Sequence, residues 1–405
     1  MKRLIVNDRP ESKVLEYRME NGVSIIIPTC NGGKIFSECL AAIKRQDYGG
    51  PIQLIIIDSG STDKTVELAI KAGAQIKKID PKQFHHARTR NDALSLAAHK
   101  KIVFMVQDAI SYSDGCLTAL AHALDHYPVA AVYTAQIPHD NATPYARFEI
   151  ESVNAARGDD LVIQEIESLE SYVEMPYHQA YRMIGLDDVC AIYRRDRLLK
   201  EPFPEVNFAE DMAWAQKNLL MGYKILYNPD IKVKHSHNRP PHYAFCRQII
   251  NSFWCAKIMG RVENDLSFLR TGDLMTLTGR TRSFVSSLRS NAFDEEFLLQ
   301  GILKNFPGKN WIRYFWPDRF FRKQKPMPEE LKMVAGNIET RIETLFHVVR
   351  EKYGIREQGE LNLLLNQVIA NVMGRIFGEV YASRLLKENI SPSLESLMHP
   401  FFQGV

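Results

Sequence analysis

The sequence has few of the features that mark disulfide-stabilised, membrane-spanning or nucleic-acid-binding proteins. Its six cysteines form no Cys-x-x-Cys pair and are scattered over 405 residues, which favours reduced thiols over a disulfide framework. No run approaches about 18 uninterrupted apolar residues, and residues 1–22 lack the apolar stretch of a secretory signal. The net charge of +3 argues against a general nucleic-acid-binding surface. We therefore expect a cytoplasmic chain with no membrane-spanning segment and no nucleic-acid partner.

From residue 23 to about residue 135, short β-branched runs alternate with segments of helical periodicity. This alternation, with strands that are apolar along nearly their whole length, predicts an α/β fold with a mostly parallel, Rossmann-like sheet flanked by helices. Ligands of such sheets bind at the carboxyl ends of the strands. The predicted strands are VSIIIPT, QLIIIDSG and KKIVFMVQD, and the predicted helices are KIFSECLAAIKRQ, DKTVELAIKAG and TRNDALSLAAH.

After residue 240 the pattern changes to helices without intervening strands. FCRQIINSFWCAKIM, residues 331–352 and residues 361–386 all have helical periodicity. Two apolar stripes are predicted on the last two helices, Leu331, Val334, Ile338, Leu345 and Val349 on one, and Leu364, Val368, Val372, Ile376 and Val380 on the other. We therefore predict one domain over residues 1–240 and a helical domain over 241–405. The last two helices would pair as a hairpin or join two copies of the chain, and the sequence leaves both open.

Asp58 stands at the end of the second predicted strand, in IIIDSGSTDKT, before a Ser/Gly turn and a helix. A carboxylate there would repel phosphate, so Asp58 suits a neutral donor such as a nucleobase N–H. Thr62 or Asp63 is interpreted as the cap of the following helix. In FHHARTRN, the planar guanidinium of Arg90 suits a diphosphate or a base carbonyl, whereas the same composition also occurs at an ordinary surface helix start.

Asp108 ends the third predicted strand, in FMVQDAISYSDG, where a buried carboxylate needs a partner. A hard divalent cation would supply that partner and would bring a nucleotide diphosphate to the same place. Backbone N–H groups of the following turn would satisfy the carboxylate equally well. The stretch by itself leaves both interpretations open.

Glu210 and Asp211 open a predicted amphipathic helix. Acidic residues in a first turn favour the helix dipole, and a general base held there would also be rigid. GYKILYNPDIKVKHSHN is predicted to form a turn, a strand, a second turn and a second strand that ends in His235 and His237. Histidines two residues apart on a strand share a face, so both could reach one metal or substrate.

Taken in this order, the stretches resemble family 2 glycosyltransferases of the GT-A fold, and the resemblance spans roughly residues 22–240. The motifs that carry it are VSIIIPTCNGG, IIIDSGSTDKT, FHHARTRN, FMVQDA, FAEDMAWAQKNLLMGY and KVKHSHN. Within the family the chain is most similar to bacterial rhamnosyltransferases, in which F-x-H-x-x-x-R-N and Q-D-A forms are typical. The matching positions are Phe84, His86, Arg90, Asn91, Gln107, Asp108 and Ala109.

The resemblance implies a donor-binding role for several residues near the strand ends. Pro28, Thr29 and Asp58 would line the nucleobase and ribose pocket, and Arg90 would lie against the base or the diphosphate. The complete set implied to bind the nucleotide donor is Pro28, Thr29, Asp58, His86, Arg90, Asn91 and Gln107.

The resemblance also implies a metal site and a catalytic base. Asp108 would be the metal-binding aspartate, with His235 or His237 approaching the metal and the diphosphate from the other side. Asp211 would be the catalytic base, supported by Glu210. The implied cofactor is a divalent cation, Mg²⁺ or Mn²⁺.

One position departs from the family pattern. Val106 stands where the first aspartate of the D-x-D motif falls, which removes a residue that often touches the ribose. Rhamnosyltransferase-like members share this form, so it is interpreted as a marker of the donor class. The implied reaction transfers a sugar, with inversion, from a nucleoside diphosphate to a hydroxyl of a glycan or lipid-linked glycan. dTDP-L-rhamnose is the first choice of donor, and a UDP-hexose or UDP-N-acetylhexosamine is the second.

Two further regions concern the acceptor and other partners. Residues 136–205 are expected to carry acceptor specificity, with Asp187, Asp188 and Arg194 as candidates, although exposed charge on an ordinary loop explains them as well. Residues 303–325 contain seven basic and seven aromatic residues against one acid. This composition suits peripheral binding to the anionic inner face of the plasma membrane, or a packed helical layer with solvated charges.

Two other classes of protein compete with this interpretation of the sequence. A nicotinamide-dependent enzyme would need G-x-G-x-x-G after the first strand, where this sequence has PTCNGG. A non-catalytic scaffold that binds a sugar nucleotide in a polysaccharide assembly complex is supported by the lost first aspartate. Asp211 opposes that interpretation, because a protein that only binds has no need of a base.

Overall fold

The computed structural model describes residues 21–269, 273–274, 276–281 and 327–388, and the chain divides into two compact units. The first unit comprises the chain up to Asp140 together with Ile150–Ser236. The second comprises Asn141–Glu149 and the chain from His237 onward. The aromatic and basic region 303–325 lies outside the described residues.

The first unit is built on a nine-stranded mixed sheet. Its strands are β1 (Val23–Thr29), β2 (Ile52–Asp58), β3 (Gln75–Lys78), β4 (Lys101–Met105), β5 (Ile110–Ser111), β6 (Ala131–Ile137), β7 (Val162–Gln164), β8 (Cys190–Arg194) and β9 (Ile225–Lys234). They lie in the order β3-β2-β1-β4-β8-β6-β9-β5, and β7 pairs separately with β9. The first four strands of this order run parallel, and β8 is antiparallel to both of its neighbours.

Helices cover this sheet, and their apolar faces form its core. They are α1 (Gly33–Lys44), α2 (Thr65–Lys71), α3 (His86–Ala93), α4 (Cys116–His126), α5 (Pro144–Arg157), α6 (Leu169–Glu174), α7 (Tyr177–Met183), α8 (Arg195–Lys200) and α9 (Glu210–Leu220). Phe36 of α1 and Leu120 of α4 are buried with Ile25, Ile27 and Val103 of the central strands in one apolar cluster. Burying each such side chain contributes roughly 1.5–3 kcal/mol to folding.

Two predicted strand ends differ from the structure. β4 ends at Met105, so Asp108 lies in the following turn rather than on the strand. The second turn predicted within GYKILYNPDIKVKHSHN is instead a register shift inside one continuous strand, β9, opposite Thr134 and Ala135 of β6. Pro229 lies in this shift, because a residue without an N–H cannot donate to a sheet ladder.

One predicted helix is displaced. The helix expected over residues 89–99 begins at His86, because the ring of His85 accepts the backbone N–H of Arg88 as an N-cap. It ends at Ala93 and continues as a single 3₁₀ turn. The displacement moves Arg90 from the first turn to the middle of α3.

The second unit contains three long helices among its described residues: α10 (Pro241–Met259), α11 (Glu329–Lys352) and α12 (Gln358–Glu388). α12 packs against both α10 and α11, so α11 and α12 pair as a hairpin, one of the two arrangements that the sequence left open. All members of the two predicted stripes are buried except Leu345, which is half-buried. No helix within the described ranges is both long and apolar enough to cross a membrane.

Candidate functional site

The loops that follow β1 and β2 are tied together by hydrogen bonds. Asn31, with φ of 48°, accepts the backbone N–H of Thr62 at 2.8 Å, and its own N–H donates to the Ser61 hydroxyl at 2.9 Å. Asp63 accepts the N–H of Thr65, the first residue of α2, at 2.9 Å. Hydrogen bonds from Thr65 lower the pKa of Asp63. The N-cap position itself is Lys64, which makes no side-chain cap hydrogen bond, so neither Thr62 nor Asp63 is the N-cap, and Asp63 contacts the first helical residue from one position further out.

The predicted nucleobase residues lie side by side at the ends of β1 and β2, where Thr29 pairs in register with Asp58 and follows Pro28. Asp58 is only 2% exposed and accepts the backbone N–H groups of Gly60 and Ser61 at 3.3 and 3.2 Å. The hydroxyl of Thr29 is buried, and within the part of the chain that the structure describes it makes no hydrogen bond. The edge therefore carries one buried carboxylate and one buried hydroxyl.

Two of the amides predicted to bind the donor instead join main-chain segments. The Gln107 Oε1 accepts the N–H of Cys30 at 3.0 Å, and its Nε2 donates to the Cys30 carbonyl at 3.1 Å. Asn91 makes the same two-way pairing with Phe203, at 2.9 and 3.0 Å. Gln107 thus holds the turn that carries Asp108 against the loop after β1, and Asn91 holds the segment that leads to α9.

Arg90 is the centre of a buried ion-pair cluster. Its Nη1 donates to Glu210 Oε1 at 2.7 Å, and its Nε lies 3.1 Å from Asp188 Oδ2. Burial lowers the pKa of Arg90, but the attraction of Glu210 and Asp188 outweighs burial and the net pKa shift is upward. The ring of His86 lies 3.5 Å from the same Nη1. The guanidinium, 4% exposed, therefore lies among carboxylates and links α3 to the first turn of α9.

Asp211 is half-buried and lies beside two other acids. Its Oδ1 accepts the N–H of Met212 at 2.8 Å, and its Oδ2 accepts the N–H of Asp188 at 3.2 Å. Burial raises the pKa of Asp211 well above its ordinary value, and the neighbouring charges of Glu210 and Asp188 raise it further. α9 starts from Ala209, whose φ of 57° and ψ of 44° lie in the left-handed region that L side chains rarely adopt. Glu210 and Asp211, the first two residues of α9, therefore follow directly after a residue with a strained backbone conformation.

Asp188 is buried in the same cluster. Burial raises its pKa to about 6, against the opposing effect of the Arg90 charge. The hydroxyl of Tyr193 donates a hydrogen bond to its Oδ1. This arrangement connects β8 to the acids of α9, and Tyr193 is a contributor that the sequence did not indicate.

Asp108, His235 and His237 each offer one ligand atom, and these atoms all lie within 4.8 Å of one another. His235 Nε2 is 3.8 Å from Asp108 Oδ1, and the His235 N–H donates to the carbonyl of Ile137 at the end of β6. One carboxylate and two imidazoles form a donor set that fits a divalent cation such as Mn²⁺. The structure therefore brings the three predicted metal ligands together.

A hydrogen-bonded chain supports His235 from behind. The Nδ1 of His235 lies 2.8 Å from Oε1 of Gln136, whose Nε2 donates to Asp187 Oδ2 at 3.1 Å. Arg157 donates to the same Asp187 oxygen at 2.7 Å. The sequence indicated Asp187 but missed Gln136 and Arg157. A polar residue near the carboxyl end of a strand is the signal for Gln136, but β6 was not among the predicted strands.

Arg194 lies away from the other predicted residues. It pairs with Lys101, the first residue of β4, whereas Cys190 at the other end of β8 pairs with Met105. Its guanidinium donates to the carbonyls of Leu124 and Val129 around the end of α4. Arg194 therefore belongs to the opposite edge of the sheet, where it satisfies helix and loop carbonyls.

The first unit is thus a mixed sheet flanked by helices, with acids and histidines gathered near the carboxyl ends of several of its strands. Residues 24–198 match the model of the family described as glycosyl transferase family 2. The chain belongs to this family, so the predicted family and fold class are confirmed.

Its similar relatives include the O-antigen chain rhamnosyltransferase RfbN of Salmonella typhimurium (strain LT2), 34% identical over 229 residues that cover 56% of this chain and 69% of that protein. The O-antigen chain rhamnosyltransferase WbaN of Salmonella anatum is 34% identical over 228 residues, covering 55% of this chain and 69% of that protein. A 44-residue stretch, 11% of either chain, is 48% identical to an N-acetylglucosaminyltransferase of Azorhizobium caulinodans.

Two solved structures are similar at lower identity. The mannosyltransferase PcManGT from Pyrobaculum calidifontis, in complex with GDP-Man and Mn²⁺, is 16% identical with a TM-score of 0.44, covering 87% of this chain and 86% of that one. Residues 1–349 of S. aureus TarS are 18% identical with a TM-score of 0.42, covering 86% of this chain and 90% of that one.

Proposed function

We propose that this glycosyltransferase moves L-rhamnose from dTDP-L-rhamnose to a hydroxyl of a glycan or lipid-linked glycan in the synthesis of a bacterial surface polysaccharide. The observation that supports this donor and this pathway is the 34% identity to two O-antigen chain rhamnosyltransferases over more than half of the chain. The reaction would take place in the cytoplasm, at the inner face of the plasma membrane if residues 303–325 bind lipid.

The donor would lie along the carboxyl ends of β1, β2 and β4. Pro28, Thr29 and Asp58 would line the nucleobase and ribose pocket, since Asp58 accepts N–H donors and would repel a phosphate. Asp108, His235 and His237 would hold a divalent cation, for which their mixed oxygen and nitrogen donor set is suited. The bound cation would act as a Lewis acid that offsets the charge of the leaving diphosphate.

Asp211 would be the general base. The acceptor hydroxyl oxygen would attack the anomeric carbon from the face opposite the diphosphate, the bond from that carbon to the diphosphate oxygen would break, and the hydroxyl proton would pass to Asp211. The raised pKa of Asp211 makes it a stronger base than an ordinary aspartate. Glu210 supports this role through its ion pair with Arg90, which fixes the start of α9. Direct displacement inverts the configuration at the anomeric carbon.

Replacing the base tests this assignment. We expect Asp211→Asn to lower the transfer rate by a factor of about 10² to 10⁴, because the proton of the attacking hydroxyl loses its acceptor. Binding of the donor nucleotide, measured by calorimetry, should stay within a small factor of wild type. The control is Asp196→Asn, which removes an exposed acid at the start of α8. Near-normal transfer by Asp211→Asn would show that another group is the base.

The donor is tested by calorimetric titration of the purified chain with dTDP and with UDP, each with and without Mn²⁺. Binding of dTDP that depends on Mn²⁺ is the expected result. Preference for UDP would favour the second candidate, a UDP-hexose or UDP-N-acetylhexosamine transferase, which the short match to an N-acetylglucosaminyltransferase supports. Binding of neither nucleotide would favour a non-catalytic scaffold of a polysaccharide assembly complex that does not itself bind the donor, and binding without metal would remove the metal role of Asp108.

A further inference from the structure

The imidazole of His235 is held from two sides, and its two ring nitrogens face different partners. Nε2 faces the carboxylate of Asp108 at 3.8 Å, and Nδ1 lies 2.8 Å from Oε1 of Gln136. A neutral imidazole carries one proton, so only one of these nitrogens can offer a lone pair to a cation. Which nitrogen carries the proton therefore decides whether His235 can serve as a ligand on the side of Asp108.

The hydrogen-bonded chain behind His235 fixes the direction of every donor. Arg157 can only donate, and its Nη2 donates to Asp187 Oδ2 at 2.7 Å. The same oxygen also accepts from Gln136 at 3.1 Å, so the Gln136 atom that faces it must be the Nε2 amide nitrogen. The other amide atom, Oε1, is an acceptor and faces His235 Nδ1. An acceptor at this distance requires the proton of the imidazole to be on Nδ1.

We propose that Gln136 is a positioning residue for the metal site. It holds the proton of His235 on Nδ1 and so presents Nε2 as an unprotonated nitrogen toward Asp108. The proposal rests on the proposed function, in which His235 is a ligand of the divalent cation. Without Gln136, a proton on Nε2 would donate toward the Asp108 carboxylate, and both groups would be occupied with each other instead of with the cation.

Arg157, the last group in this hydrogen-bonded series, is anchored against the sheet. The guanidinium of Arg157 lies over the rings of Tyr133 and Tyr227, 5.0 and 5.5 Å from their centroids, and its side chain is 14% exposed. The main chain of Gln136 is also held, because Asn154 donates to its carbonyl at 2.6 Å. These contacts come from β6, β9 and the part of α5 from Ile150 onward, all of which belong to the first unit. Gln136 is therefore held at its main chain by Asn154 and at its side-chain amide by Asp187, and these contacts oppose a rotation that would exchange Oε1 and Nε2.

The direct test is the tautomer of His235 in the metal-free protein, read from nitrogen NMR shifts after selective ¹⁵N-histidine labelling. A His235→Asn variant assigns the signal. We expect the wild-type protein to carry the proton on Nδ1, and Gln136→Leu to shift it toward Nε2. A wild-type proton on Nε2 would overturn the proposal whether or not the protein binds a metal.

Metal affinity is the second readout, measured as Mn²⁺ binding by electron paramagnetic resonance. We expect Gln136→Leu to weaken binding by about 10- to 100-fold, as is usual when the partner of a ligating histidine is lost. The matched control is Gln53→Leu, which removes another half-buried glutamine of the sheet, whose hydrogen bonds to Gln75 and to the Leu96 carbonyl involve none of the three proposed metal ligands. Unchanged affinity in Gln136→Leu would overturn the proposal.

A comparison of the two readouts separates positioning from general destabilisation. If Gln136→Leu weakens Mn²⁺ binding while the proton of His235 stays on Nδ1, the loss of affinity does not act through the histidine and the proposal is wrong. If the wild-type protein has the Nδ1 tautomer but binds no Mn²⁺, the proposed metal site fails while the tautomer assignment stands.

Discussion

Asp188 carries a proton at a higher pH than an ordinary aspartate, since burial raises its pKa from 3.8 to about 6. The folded state therefore holds a proton that the unfolded chain releases between these two values. The stability that this group contributes is complete below about pH 3.8 and is lost as the pH rises through about 6. Its buried environment, 3% exposed, leaves little screening by solvent.

Replacing Asp188 by Asn should remove this pH dependence. We expect the free energy of unfolding of Asp188→Asn, relative to wild type, to increase as the pH is raised from 4 to 7. The change can reach about 3 kcal/mol, because each unit of pKa shift corresponds to about 1.4 kcal/mol. The measurement is urea unfolding at pH 4, 5, 6 and 7. Parallel pH profiles for the two proteins would mean that Asp188 has an ordinary pKa in the folded state, and Asp196→Asn is the exposed control.

At the scale of single residues, the sequence indicated most of the acids of the site and few of their partners. Asp58, Asp108 and Asp211 are predictable because each follows a strand or opens a helix, positions that sequence periodicity locates. Gln136 and Arg157 are not predictable in this way, because their importance comes from contacts with residues about 100 and 30 positions away. Such contacts exist only after the sheet has formed.

At the scale of secondary-structure elements, two glycines let α12 approach α10 closely. A methyl group built on Gly374 would lie 2.5 Å from the carbonyl oxygen of Phe245, and one built on Gly378 would lie 2.6 Å from that of Ile249. Real side chains do not tolerate such distances to main-chain atoms. The Gly-x-x-x-Gly spacing therefore places both glycines on the face of α12 that meets α10.

We expect Gly378→Ala to destabilise the helical unit by about 1–3 kcal/mol, since the methyl group must push the two helices apart. The matched control is Gly336→Ala in α11, where nothing lies within 4 Å of the added methyl group. There the better helix propensity of alanine should add about 0.5–1 kcal/mol of stability. Thermal and urea unfolding followed by circular dichroism measure both. Equal effects of the two substitutions would show that the helices do not meet at Gly378.

The elements themselves were largely predictable, and the errors have local causes. The strands β1, β2 and β4 and the three long C-terminal helices follow from their apolar periodicity. The start of α3 was misplaced because His85 acts as its cap, a role that composition does not suggest. The continuity of β9 was missed because Pro229 usually ends a strand, whereas here the pairing resumes after a register shift.

At the scale of the whole molecule, one prediction concerns residues 303–325, which the described structure does not include. If this region binds anionic lipid, each basic residue contributes about 1 kcal/mol, so replacing three of them should weaken binding by about 100-fold. We expect the triple change Lys304→Gln, Lys309→Gln and Arg313→Gln to reduce flotation of the full chain with vesicles that contain phosphatidylglycerol.

The control for this experiment is an equal change of charge in the first unit, at Lys64, Lys71 and Lys77. This control variant should float as the wild type does. Vesicles of phosphatidylcholine alone should recruit neither the wild type nor the 303–325 variant. Equal recruitment of wild type and the 303–325 variant would favour the alternative interpretation, a packed layer whose charges are solvated.

The sequence by itself determined the fold class, the family and the carboxylates of the site, because these depend on local periodicity and on short motifs that need no knowledge of distant contacts. Only the tertiary structure decided that Arg90 lies between Glu210 and Asp188, that Arg194 belongs to the opposite sheet edge, and that Gln136 stands behind His235. The physical reason is that an ion pair or a hydrogen-bond direction depends on distances of about 3 Å between groups far apart in the chain, and only the packed sheet sets those distances.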